Sequence, residues 1–78
     1  MGTVYVVQDD AFVGKTDERL TVKVGKDKPL EVPLMMIDGV VVLGRATITP
    51  AAIMELLERH IPVSFLSHNV RLFFTLEP

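Results

Sequence analysis

The 78-residue chain contains no cysteine. That removes disulfide staples and thiolate metal sites together. Nor is there an excess of positive charge. Eight Lys and Arg stand against ten Asp and Glu, a formal net charge of −2, which excludes binding of nucleic acid by bulk basicity. No uncharged run approaches the ~20 apolar residues that a spanning helix needs. The opening MGTVYVV lacks the basic region and cleavage pattern of a signal peptide. The expectation is a cytoplasmic protein with no membrane contact. Internal repeats, low-complexity stretches, a glycine-rich phosphate loop and an HExxH pair are all missing.

What is present is apolar residues, 49% of the chain, which rules out disorder. The length allows one domain, residues 1–78, with one core. A core of this size supplies roughly 3–5 kcal/mol. With no staple to add to it, association with another chain or domain is expected.

Polar punctuation at short intervals predicts about seven short strands and one helix, a mainly β (α+β) fold. Thr3–Val7 and Ala11–Lys15, joined at Gln8-Asp9-Asp10, read as a hairpin pairing Val6 with Phe12 and Tyr5 with Val13. Both its faces would be apolar, so one is expected to meet a partner. Arg19–Val24 alternates cleanly, with Leu20, Val22 and Val24 on one face. Pairing it with Leu30–Leu34 through the five-residue loop Gly25–Pro29 sets Val24 against Leu30, Leu20 against Leu34 and Lys23 against Glu31. Pro33 places its strand at an edge or a bend. Ile37–Leu43 reads as a central strand covered on both faces, ended by Gly44.

Thr49 as N-cap and Pro50 at the first helical position start a helix near residues 50–60. Ile53, Leu56, Leu57 and His60 form its apolar side with Met54 beside them, and Glu55 and Arg59 pair on the surface. Pro62 stops it. Val63–Leu66 and Val70–Leu76 follow as strands around Ser67-His68-Asn69. An apolar final strand is what a domain cut from a longer chain looks like.

Catalytic patterns are missing. His60 and His68 lie eight residues apart across a helix end and a turn, which is not metal-pair spacing. His60 reads as structural or capping, because a cation suits the last helical turn. Asp9 and Asp10 suit turn chemistry better than a paired acid site. Glu55 and Glu58, with Arg59 beside them, read as a solvated helix face, and Ser64 and Ser67 have no oriented base. No catalytic and no metal residue is assigned. Met35-Met36 reads as plastic core or interface filler. The Arg19, Thr21, Lys23 face could touch phosphates, although a solvated sheet face partly neutralised by Glu31 is the plainer reading. Lys15, Arg45 and Arg71 are isolated cations at element ends.

One resemblance adds to this. The run LEVPLMMIDGVVVLGRATITPAAIMELLERHIPVSFLSHNVR, Leu30 to Arg71, holds a Val-Pro turn, IDGVVVLG, a Thr-Pro helix start, ELLERHIPVSFLS and Asn-X-Arg. It resembles the N-terminal domain of the CRISPR-associated endonuclease and integrase of spacer acquisition, the first Cas protein, and the opening MGTVYVVQDDAFVGKTDERLTVK is similar too. Val70 stands where that family usually has Gly after Asn, and its Gly near Phe74 is missing.

The resemblance implies a small β-sandwich-like domain with one short helix. It implies dimerisation and a share in holding prespacer DNA. It also implies a second, helical domain, absent from this chain, that carries the divalent metal (Mg or Mn) and the chemistry. The implied partners are a second copy, that helical domain, the second adaptation protein and prespacer DNA. The expected DNA contacts are Lys15, Arg19, Lys23, Arg45 and Arg71, and the expected interface residues are Tyr5, Val7, Val13, Leu72 and Phe74. A free-standing protein-interaction module or a truncated remnant sharing the fold is the alternative.

Overall fold

The computed structural model describes residues 2–66 and the backbone of residues 72–76. In chain order the described elements are β1 (Gly2–Val6), β2 (Ala11–Thr16), β3 (Arg19–Val24), β4 (Leu30–Pro33), a 3-10 turn (Leu34–Met36), β5 (Ile37–Leu43), β6 (Thr47–Ile48), α1 (Pro50–Glu58), β7 (Val63–Leu66) and β8 (Leu72–Leu76). The strands form two four-stranded sheets, β1-β5-β7-β8 and β4-β3-β2-β6. The two-residue β6 is an eighth strand where the sequence suggested only a lead into the helix.

The first hairpin is not formed. Its turn exists, since the Ala11 amide donates to the Gln8 carbonyl at 3.1 Å, but it carries the chain from one sheet to the other. β1 instead pairs in parallel with β5, Val6 beside Val42 and Tyr5 beside Val41. β2 pairs with β3 and, in parallel, with β6. Strands β2, β3 and β4 are thus part of the crossover that a parallel β1–β5 pair requires. A second crossover, through β6 and α1, sets β7 parallel to β5. β5 is therefore central, as its unbroken apolar run demands.

The β3–β4 register differs from expectation by two residues. Val22 faces Leu30 and Leu20 faces Val32. A shift of two leaves every side chain on its expected face, so alternation cannot detect it. The turn decides it: the Asp27 amide donates to the Val24 carbonyl at 3.0 Å, with Gly25 at a φ of 57°. Leu34 leaves the strand for the 3-10 turn, where its amide donates to the Glu18 carbonyl at 2.9 Å. β4 lies at a sheet edge, where Pro33 removes no needed ladder bond.

Thr49 caps the helix, its Oγ1 accepting from the Ala52 amide at 3.1 Å, with Pro50 in the first turn. The helix ends at Glu58. His60 follows at a φ of 62°, its amide donating to Leu57, while the Ile61 amide reaches back to Leu56 at 2.8 Å. This is a Schellman closure, and buried Ile61 packs with buried Leu56 as that motif favours. His60 is exposed and not part of the apolar face. That face is Ala52 and Leu56, with Ile53 and Leu57 half-buried and Met54 exposed.

One core joins both sheets and the helix. Val6, Ile37, Val40, Val42 and Val63 enter from the first sheet; Ala11, Val13 and Leu20 from the second; Leu34, Ala52, Leu56 and Ile61 from the turn, the helix and its exit. No charged or polar residue is buried among the described residues. Val13 is fully buried in this core. It is therefore not an interface residue, contrary to the sequence-based expectation.

Candidate nucleic-acid interface

Alternation along β2, β3 and β4 turns Ala11, Val13 and Leu20 inward and leaves Phe12, Arg19, Lys23 and Glu31 exposed on the outer face of the second sheet. The expected cations among the described residues fall into two groups.

The first group is neutralised. Lys15 Nζ lies 3.2 Å from Glu55 Oε1, which links β2 to the helix. Arg19 Nη1 lies 3.0 Å from Glu31 Oε1, a cross-strand pair that takes the place of the expected Lys23–Glu31 pair. Arg59, one helical turn past Glu55, donates to its Oε2 at 2.7 Å and lies 3.7 Å from Glu18. The hydrogen bonds from Arg59 and then Lys15 hold the Glu55 carboxyl below its usual range, and the same carboxylate raises Arg59. A shallow concavity of about 380 Å³ sits at this end, lined by Asp17, Glu18, Arg19, Pro33, Met35 and Arg59. Both of its arginines are already matched to carboxylates.

The second group lies at the other end of the sheet. Lys23 stands directly across from Phe12, and Phe12 in turn has Thr47 of β6 on its far side. The Arg45 amide donates to Asp9 Oδ1 at 3.0 Å. A Cβ on Gly25 would come within 3.5 Å of Asp10 Oδ2. The Asp9-Asp10 turn, the loop from Gly25 and the segment at Arg45 therefore meet beside Phe12. Lys23, Lys26, Lys28 and Arg45 are all exposed there, and among the described residues none of these four side chains is in an ion pair. Asp9, Asp10 and Asp27 share this end, so it is mixed in charge.

Sequence reasoning missed Phe12, which the false hairpin had placed against Val6. It also missed Lys26 and Lys28, although a Gly-Lys-Asp-Lys-Pro loop is a legible basic tip. Phe12 is half exposed, at 51%, although it is a large apolar side chain on a paired strand. Its ring leans along β2 toward Gly14: a Cβ there would lie 3.9 Å from Phe12 Cε1 and 3.3 Å from Thr21 Oγ1.

On the first sheet Tyr5 and Val7 are 65% and 56% exposed, at the edge formed by β1. Leu72 and Phe74 belong to β8 as backbone, but their side chains lie outside the described residues, as do Arg71, His68 and Val70. No group of three or more His, Asp or Glu converges as a metal site would require among the described residues.

The family model for CRISPR associated protein Cas1 matches residues 4–78. The chain belongs to the Cas1 family. It corresponds to an N-terminal Cas1 region. It is 30% identical over 69 residues to the CRISPR-associated endonuclease Cas1 3 of Thermus thermophilus, covering 86% of this chain and 21% of that protein. A partial Cas6-RT-Cas1–Cas2 complex contains a chain 28% identical, with a TM-score of 0.87 over all of this chain and 24% of that one. A Cas1 in complex with DNA has the same fold, at a TM-score of 0.78 and 16% identity over 94% of this chain and 28% of that one. This Cas1-family chain thus spans between 21% and 28% of the length of these three relatives. Its two sheets and single helix are the Cas1 N-terminal β-domain.

Proposed function

We propose that the chain acts in CRISPR adaptation as the dimerising and DNA-holding β-domain of a Cas1 endonuclease and integrase. The family match over residues 4–78 is the observation that carries this reading. The relative seen in a Cas1–Cas2 complex supports the second adaptation protein as a partner, and the Cas1 seen with DNA supports DNA. Exposed Tyr5 on an edge strand and exposed Val7 just past its end support a homodimer surface, since such a strand offers apolar area and unpaired backbone together.

The described residues do not fit a catalytic metal, because their carboxylates and histidines do not converge. No chemical step is assigned to them. On this reading the Mg or Mn site belongs to a helical domain outside residues 1–78.

Sedimentation velocity of the chain tests the proposal, with Tyr5→Lys and Val7→Asp as variants. A wild-type dimer that either variant shifts to monomer is expected. DNA binding should be weak for blunt duplex and steeply salt-sensitive. A monomer at all concentrations, or tight duplex binding indifferent to salt, would contradict it.

A further inference from the structure

We infer that Pro29 and Pro33 bar the free edge of β4 to strand addition, so that neither a second copy of this chain nor an extended peptide can lengthen the second sheet from that side. This goes beyond the adaptation reading and does not depend on it.

β4 is paired on one side only, with β3. An edge strand offers unpaired amides and carbonyls to any extended chain. Leu30 adds an aliphatic side chain that is 64% exposed, and Met35 and Met36 stand exposed just past the strand. Side chains alone would make this edge adhesive.

The direction of the backbone groups decides otherwise. The Leu34 amide donates to the Glu18 carbonyl at 2.9 Å, which makes these two residues a hydrogen-bonded pair. Bonded and non-bonded pairs alternate along an antiparallel ladder. Val32 opposite Leu20 and Leu30 opposite Val22 are then bonded pairs, so β3 uses their amides. Glu31 and Pro33 lie between and turn their backbone outward, and Pro29 is the next residue in that series. Proline has no N–H, and its ring occupies the place of the hydrogen. An incoming strand therefore meets one donor, on Glu31, with a ring on either side of it. Exposed Lys26 and Lys28 before the strand, and the 3-10 turn Leu34–Met36 after it, shorten the edge further. Pro33 sits at φ −59° and ψ 131°, an extended conformation open to other residues, so the local backbone does not demand proline there. Barring this edge matters because live edges on both sheets would let copies add head to tail without closure.

Pro29→Thr combined with Pro33→Thr restores both donors. In sedimentation velocity the double variant should form species larger than wild type does, increasingly so with concentration. Amide exchange at Glu31 locates the contact. In wild type it should be independent of concentration, whereas in the double variant it should slow by about tenfold or more as the assemblies form. Adding Leu30→Lys should return the double variant to wild-type sedimentation. A folded double variant that sediments as wild type does at every concentration overturns the inference. So does assembly with Glu31 still exchanging freely, or with Leu30→Lys unable to reverse it. Slowing of Glu31 exchange with concentration in wild type would reveal a live edge and overturn it as well. Circular dichroism reports folding; if the double variant does not fold, Pro33→Thr alone must slow Glu31 exchange with concentration, or the inference fails. A monomeric wild type would defeat the homodimer proposal and leave the barred edge standing.

Discussion

Lys15 and Glu55, forty residues apart, meet at 3.2 Å and join the second sheet to the helix. The same carboxylate also holds Arg59 through its other oxygen. Glu55 is thus shared between a strand and the helix end, and its protonation acts on both contacts at once.

The pH dependence follows from the sign of its shift. Glu55 has a lower pKa in the folded chain than its ordinary value of 4.5, mainly through Arg59 and then Lys15. Its contribution is fully present above that ordinary value and is lost as pH falls through the folded one. The melting temperature of wild type should therefore exceed that of Glu55→Gln at pH 6–7, and the two should converge toward pH 3. Because the carboxylate is only half-buried, the gap is small and shrinks with added salt. A gap independent of pH would show that the carboxylate charge is not what matters.

His60 offers a stabilising change. It sits in the left-handed region, where a side chain costs roughly 1–2 kcal/mol and Gly costs little. Glycine loses some of that advantage through its freer unfolded state. His60→Gly should therefore raise stability by about 0.5–1 kcal/mol in urea unfolding. Destabilisation by this change would mean that the imidazole makes a contact that matters.

Leu56 is fully buried and anchors the Schellman closure through Ile61. Leu56→Ala should cost about 2–5 kcal/mol. In a domain of this size that approaches the whole folding free energy, so loss of cooperative unfolding is the expected result. Met54→Ala, on the exposed side of the same helix, should cost little. Equal effects of the two would mean that the helix faces are misassigned.

The elements were largely legible in the residues, because each rests on a local rule. Thr49-Pro50 starts a helix wherever the chain goes next, and Leu20, Val22 and Val24 share a face whatever they pair with. What was illegible was the choice of partner. The Gln8-Asp9-Asp10 turn reads the same whether the chain returns beside β1 or crosses to another sheet. Only the presence of β5, some thirty-five residues on, decides between them. The same holds for the cations. Nothing near Lys15 in sequence announces Glu55, so the separation into neutralised and available cations is visible only in three dimensions. Phe12 was lost through the same wrong partner, since a residue assigned to a false hairpin is assigned to a false face.

The parallel pairing of β1 with β5 bears on the order of folding. Gly2–Val6 is synthesised before the partner strand Ile37–Leu43 exists, and three of the four strands of the second sheet are made in between. β2, β3 and β4 can pair by short antiparallel turns while β1 still waits, because long-range parallel contacts require a large loop to close first. During that interval Tyr5 and Val7 lie on an unpaired, aggregation-prone segment. The strand that precedes its partner by some thirty-five residues is thus among the last to be placed, and slow completion of the first sheet is the kinetic signature this topology implies.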